Sequence, residues 1–306
     1  MGTIVTIEVV GDTPERPDEL AINGAIERAF GWFREIERIC NRFDAASELR
    51  QLATHPREAI PVSEVLYTAV EFALAVAEET AGAFDPTVGL AMEHRGFNRD
   101  YRDRQIVSSG LAPDADEPVS YRDVQLEPTA RAIVLRRPLV LDLGAVVKGL
   151  AIDMAARELA ACGNYAIDAG GDLYVAGHNA RLEPWSVGIR HPRRDREVIE
   201  LLRVSNVAVC TSGDYERPGR GDDGSEPAGH HIIDPRDGRS ADRVASATVL
   251  APTAMLADAL ATAAFVLGPG DGIRLLEQHG VDGLLFTPTL ERFMTRGIPA
   301  AIFSNP

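Results

Sequence analysis

From residue 165 to residue 251 the chain is a succession of short β segments with turn chemistry between them: "YAIDAGGDLYVAG", "PWSVGIRHP", "VIELLRVSNVAVCTS", "HHIIDP" and "VASATVLAP". Parallel neighbours need a crossover of a dozen or more residues, usually a helix, and most of these gaps are too short to hold one. The pattern predicts an α+β fold built on a mainly antiparallel sheet with flanking helices, and argues against a doubly wound parallel one. Directly after the β run comes "APTAMLADALATAAFVLG" (251–268), apolar almost throughout except at Asp258 and Thr262. In a helix these two positions lie one above the other, so a carboxylate and a hydroxyl face one point. That is half of a hard-cation site. The alternative is that Pro252 starts the helix, Asp258 meets an arginine, and Thr262 bonds back to the Asp258 carbonyl. Either way a carboxylate on a core-facing stripe is expensive and requires a partner elsewhere in the chain.

The 306 residues, 45% hydrophobic and 25% charged, suffice for a sizeable core. With no internal repeat and no clean linker, one large domain over 1–306 with a possible smaller lobe is expected. A formal net charge of −15 argues against nucleic acid or an anionic membrane surface as the main partner. An anionic ligand would need a local reversal of that field, which a divalent cation supplies most simply. Cys40, Cys162 and Cys210 are scattered, which suits neither a disulfide framework nor a zinc site. The opening "MGTIVTIEVVGD" alternates like a strand and lacks the basic and apolar regions of an export signal, and no apolar run approaches the ~18 residues of a membrane span. The expectation is a cytoplasmic protein as written, exported if a segment precedes Met1.

Periodicity predicts a strand over 3–10 and a helix over 18–40. Ser47 caps a short helix, and 61–82 is a helix with Ser63 as N-cap and Gly82 as its stop. Residues 95–138 read as loops with a short strand or two. A strand over 139–143, helices over 146–162, 253–267 and 271–279, and closing strands near 282–286 and 299–303 complete the reading. The Gly/Asp-rich stretch 212–229 has the composition of a flap.

"LVLDLGAVVKGLAIDMAARELAACG" (139–163) offers the partner that Asp258 requires. A buried strand would deliver Asp142, Gly144 would bend the backbone, and a helix would start near Val146 with Lys148 in its first turn. Free amides at such a bend face an incoming anion, and a free carbonyl, that of Ala145, can face a cation. An ordinary strand-to-helix connection with a solvated lysine has the same spelling, and the spacing is that of neither a P-loop nor a dinucleotide fingerprint.

Taken in order, "MGT" (1–3), "RFDAASEL" (42–49), "GAFDPTVG" (82–89), "LDLGAVVKGLAID" (141–153), "DAGGDLYVAG" (168–177), "TSGDYER" (211–217), "HHIIDPRDG" (230–238) and the 251–268 helix resemble the ApbE family of FAD:protein FMN transferases. The resemblance implies an ApbE-like, T-fold-related fold. It implies a Mg²⁺-dependent enzyme that takes FAD as substrate, moves FMN to a Thr or Ser hydroxyl of a target protein, and releases AMP. Under it the metal ligands are the Ala145 carbonyl, Asp258 and Thr262. Some relatives carry a second carboxylate where this chain has Ala261, so water or substrate phosphates must complete the ~6 oxygens that Mg²⁺ prefers. Asp142 and Lys148 match FAD-contacting positions, and Met1 falls in the first of the matching motifs, on the FAD side of the site. Ala83, Phe84 and Asp85 would line the flavin or adenine pocket, although a generic turn looks alike. Phe43 stands where many relatives have Tyr, and both a stacking face and plain core packing fit it. His231 matches the family's histidine and would polarise or deprotonate the attacking hydroxyl, with Ile232 and Ile233 packing on the dinucleotide and His230 a spectator. Asp234 is expected to hold its turn, and the amides of Ser212, Gly213 and Asp214 either meet a phosphate or simply start the loop. Two rivals share these residues: an FAD pyrophosphatase giving FMN and AMP, and a protein that binds FAD without turnover.

Overall fold

The structure, a computed structural model, describes residues 2–11, 17–100, 102, 105–112, 118–216 and 229–298. Along the chain run β1 (Val5–Val9), α1 (Glu19–Cys40), α2 (Glu48–Leu52), β2 (Ile60–Pro61), α3 (Glu64–Glu79), α4 (Gly89–His94), β3 (Val124–Glu127) and β4 (Ala132–Leu135). Then follow α5 (Gly144–Leu159), β5 (Tyr165–Ala169), β6 (Asp172–Ala176), β7 (Trp185–Arg190), β8 (Val198–Val204) and β9 (Val207–Gly213). The last are β10 (Ile233–Asp234), β11 (Arg239–Ser240), β12 (Ser246–Ala251), α6 (Ala254–Leu267), α7 (Pro269–Gln278), β13 (Asp282–Phe286) and β14 (Arg292–Met294). These residues form two compact units. The first is mainly Glu35–Val147 with Glu216–Asp242; the second is Thr3–Arg34, Lys148–Tyr215 and the described residues from Arg243 on. No helix among the described residues is long and apolar enough to cross a membrane.

The second unit holds the expected antiparallel sheet, seven strands in the order β1-β5-β6-β9-β12-β13-β14. Every neighbouring pair in it is antiparallel. Turn chemistry sets the β5–β6 register: Gly170 and Gly171 both take positive φ, +70° and +96°, as a two-residue hairpin turn requires. All six residues of the central β12 are buried. One reason is α6, which packs on β9 and β12. Another is the separate β7–β8 ribbon, whose Trp185, Val187, Ile189 and Leu202 join Val209, Leu250, Leu284 and Phe286 of the sheet in one apolar cluster. Along β7 these buried residues alternate with exposed Ser186, Gly188 and Arg190, the period-two pattern of a half-buried strand.

The first unit carries the three-stranded sheet β2-β4-β3 and the hairpin β10–β11. Ser47 and Ser63 cap α2 and α3 as expected, accepting from the amides of Arg50 and Leu66. The end of α3 has Gly82 at its stop as expected, with positive φ (+80°) shared by the residue before it. Gly82 N–H reaches the Ala77 carbonyl at 2.8 Å and Ala81, at φ +51°, the Glu78 carbonyl at 3.1 Å.

The strand expected over 139–143 is not formed. Leu139, Val140, Leu141 and Leu143 are buried, yet the segment enters no ladder. Asp142 N–H donates to the Pro86 carbonyl at 2.7 Å, and Gly144 N–H to the Asp142 side chain at 2.8 Å. Val140 packs on α4 at Gly89, where a Cβ would stand 2.5 Å from the Val140 oxygen. An apolar run records burial, and here burial comes from helix and turn contacts rather than strand pairing. The following helix, α5, has a kink at Ala145, whose backbone is not helical, so regular helix runs on from Val146 as expected. The expected strand near 299–303, and residues 217–228 of the expected flap, lie outside the described residues.

Candidate active site

Each unit carries part of the predicted set. In the first, "RFDAASEL", "GAFDPTVG" and "LDLG" converge. Asp142 accepts the Gly144 amide on Oδ1 and pairs through Oδ2 with Arg42 Nε at 2.5 Å. The Arg42 guanidinium lies 4.2 Å over the Phe43 ring and donates to the Phe97 carbonyl. Arg42 therefore turns the Phe43 face and the Asp142 carboxylate into one assembly. Sequence reasoning passed over Arg42, although it stands beside Phe43 in the quoted motif.

Ala83, Phe84 and Asp85 are all buried. Asp85 Oδ1 accepts from the amide and hydroxyl of Thr87 at 2.8 and 2.7 Å, and Oδ2 from the Tyr121 amide at 2.9 Å. Burial pushes the Asp85 pKa up against the downward pull of these bonds. The side chain thus holds the turn, and the Pro86 carbonyl in that turn receives the Asp142 amide.

The two histidines of "HHIIDPRDG" have different surroundings. His230 is buried; its Nε2 lies 2.7 Å from the Ala241 carbonyl and its Nδ1 accepts the Ile232 amide at 3.3 Å. Both ring nitrogens serve the hairpin, which fits the spectator role. His231 is half-buried and Ile232 and Ile233 are buried beside it. Asp234 holds its turn through the Arg236 amide and guanidinium. Met1 lies outside the described residues. Ala145 sits in the first turn of α5 with φ −92° and ψ 17°, away from helical values.

In the second unit α6 presents Asp258, 5% exposed, among buried Ala257, Ala259, Leu260 and Ala261. A cation near it is Lys148. Lys148 pairs with Asp172, a residue of "DAGGDLYVAG" that sequence reasoning did not single out. Asp172 is 1% exposed and also accepts the Thr211 amide at 2.9 Å. Burial alone would lower the Lys148 pKa, but Asp172 and then Asp258 raise it by more, so the ammonium is secure. The same burial and the same two carboxylates push the fully buried Cys210 thiol well up, which makes it inert. Thr262 does not bond back to its own helix as the alternative reading had it. Its hydroxyl lies 3.1 Å from that of Ser212 on β9. Asp214 begins the next loop by pairing with Arg193 through both oxygens at 2.7 Å, and its amide goes to the Ala245 carbonyl, so it is not available for a phosphate.

The oxygen donors on α6 fit Mg²⁺: one carboxylate and one hydroxyl, hard ligands on one stripe of a helix that is otherwise apolar. Among the described residues no cluster of three His, Cys, Asp or Glu side chains forms a rival centre. Position 261, an alanine at 0% exposure, supplies no further carboxylate.

The chain is similar to several known proteins along most of its length. The FAD:protein FMN transferase of Vibrio cholerae is 30% identical over 96% of this chain and 87% of its own length. The Salmonella typhimurium protein of the same name is 30% identical over 96% and 84%. Among solved structures, the ApbE protein of Thermotoga maritima superposes with a TM-score of 0.82 at 28% identity, covering 99% of each chain. The Vibrio cholerae flavin transferase ApbE gives 0.79 at 26% identity, covering 98% of this chain and 96% of that one. The profile of the ApbE family matches residues 1–285, and with these relatives it establishes that the chain belongs to the ApbE family.

Proposed function

We propose that the chain transfers FMN from FAD to a threonine or serine hydroxyl of a target protein, with release of AMP and a requirement for Mg²⁺. The observation that carries the reading is Asp258, a carboxylate 5% exposed on an apolar helix one turn from Thr262, in a chain matched from 1 to 285 by this family.

Asp258 and Thr262 would hold the metal. When bound, Mg²⁺ neutralises charge on the pyrophosphate oxygens as the phosphorus–oxygen bond breaks. In the reaction the acceptor oxygen bonds to the FMN phosphorus, the bond from that phosphorus to the bridging oxygen breaks, and the bridging oxygen leaves with AMP. His231 would take the acceptor proton, while His230 holds the hairpin. Lys148, itself paired with Asp172, places a secure positive charge near Asp258. Arg42 holds Asp142 and the Phe43 face, which would orient the flavin.

Incubating the purified protein with FAD and Mg²⁺, with and without a threonine-containing acceptor peptide, tests the reading. Covalent flavin fluorescence on the peptide supports it. AMP release that ignores the peptide means hydrolysis, and intact bound FAD means a binding protein. Asp258→Ala should abolish turnover while FAD binding weakens less; unchanged AMP release in that variant removes Asp258 from the metal site.

A further inference from the structure

Asp153 closes the quoted stretch 141–153 and has no place in the reaction as proposed. Its side chain, on α5, does something specific to α6. Oδ1 accepts the Ala254 amide at 2.7 Å and Oδ2 the Met255 amide at 3.0 Å. The next amide, Leu256, goes to Thr253 Oγ1 at 3.4 Å. A helix leaves its first amides without partners of its own. Here two side chains take three of them, and one is lent by a different helix. Its negative charge also suits the positive end of the α6 dipole.

Gly149 makes that approach possible. It lies four residues before Asp153 and so on the same face of α5. A Cβ at Gly149 would stand 2.5 Å from Met255 Cα and collide with the Ala254 carbonyl. Backbone meets backbone there, and only glycine allows it.

The gripped turn is the one from which Asp258 hangs. Ala254, Asp258 and Thr262 fall at i, i+4 and i+8 and share one stripe of α6. In the helix ladder the Asp258 amide donates to the Ala254 carbonyl, the group packed against Gly149. At the roughly 5–6 Å outer radius of a helix, a rotation of about 10° moves a side-chain oxygen by about 1 Å. Mg²⁺ tolerates little of that, because its ligands must sit near octahedral positions at about 2.0–2.1 Å.

We infer that Asp153, seated by Gly149, is a positioning residue for Asp258 and Thr262: it fixes the rotation and height of α6 and thereby the place of the metal-facing oxygens. The inference rests on the magnesium role proposed above. Asp153→Ala, Asp153→Asn and Gly149→Ala test it, Gly149→Ala because it leaves the carboxylate in place while forcing the helices apart. In metal-free protein, hydrogen exchange of a peptide covering 254–262 should accelerate in Asp153→Ala and less in Asp153→Asn, which keeps one acceptor oxygen. The Mg²⁺ concentration giving half of the Mg²⁺-induced thermal shift should rise by about tenfold or more in Asp153→Ala and Gly149→Ala, the range in which partners supporting a metal ligand act. At saturating Mg²⁺ the turnover should recover to within about threefold of the parent, because the ligands themselves remain. A merely structural cap would lower the melting temperature and leave the Mg²⁺ midpoint alone. That result in the two alanine variants, or in Asp153→Asn and Gly149→Ala if Asp153→Ala does not fold, overturns the inference. Asp258→Ala separates the two claims: a parental Mg²⁺ midpoint in that variant overturns the metal reading, whereas its loss there with an unmoved midpoint at Asp153 and Gly149 overturns only the positioning role.

Discussion

Replacing Asp172 with asparagine removes one charge from a place where two carboxylates face one ammonium. The amide oxygen of the new side chain can still accept the Thr211 amide, now at 2.9 Å, so the change is electrostatic rather than steric. Stripping one partner from a fully buried ion pair costs about 3–5 kcal/mol. Here the Lys148 side chain is 26% exposed and Asp258 remains as a second counter-charge, which reduces the expected loss to about 1–3 kcal/mol. At about 2–4 °C per kcal/mol for a domain of this class, the melting temperature should fall by roughly 2–12 °C. The sign of the pH dependence selects the assay conditions. The folded pKa of Lys148 is raised, so its stabilisation is complete below the unfolded lysine's value of about 10.4 and is lost only as pH rises through the folded value. Calorimetry at neutral pH, with chelator present, therefore samples the whole effect. Lys148→Met should be worse than Asp172→Asn, because it removes a cation that both buried carboxylates interact with. The double variant should recover part of the loss, with a coupling of about 1 kcal/mol or more. An Asp172→Asn protein within about 0.5 kcal/mol of the parent, or strictly additive losses, would refute the pairing argument.

Glu158 receives Arg28 Nε at 2.7 Å and the Trp32 indole at 3.1 Å, Arg28 foremost in holding its pKa below the ordinary range. Its stabilisation is thus present above the unfolded glutamate's value of about 4.3 and is lost as pH falls through the lower folded value, so Trp32 emission should show an acid-side step that Glu158→Gln lacks. Gly89→Ala forces a Cβ against the Val140 carbonyl and should cost about 1–3 kcal/mol in a urea titration; an unchanged midpoint contradicts the packing of α4 on the 139–143 segment. His230→Ala should lower the melting temperature while sparing transfer per folded molecule, and His231→Ala should slow acceptor attack with FAD affinity kept. The reverse pattern exchanges their roles.

What could be read from the residues was local. Spacing between short β segments forces antiparallel neighbours, serine at a helix start takes an amide, and two glycines in succession turn a hairpin; each signal and its consequence lie within a few positions. The 139–143 run misled for the same reason. Its apolar character states that it is buried but says nothing of which groups take its amides, and here the takers are the Pro86 carbonyl and the Asp142 side chain. The site residues show the limit more sharply. Residue pattern and family likeness together supplied Asp258, Lys148 and Asp142 but not Asp172 and Arg42, which read as a hairpin residue and a turn residue until the chain folds. The one inference that crossed this limit began from cost: a carboxylate on an apolar helix must be balanced somewhere. The 139–163 stretch named for that balance carries Lys148, which lies near Asp258 and is held in turn by a second buried carboxylate, Asp172. Local pattern tells where a charge must be answered, and only the tertiary contacts tell by what.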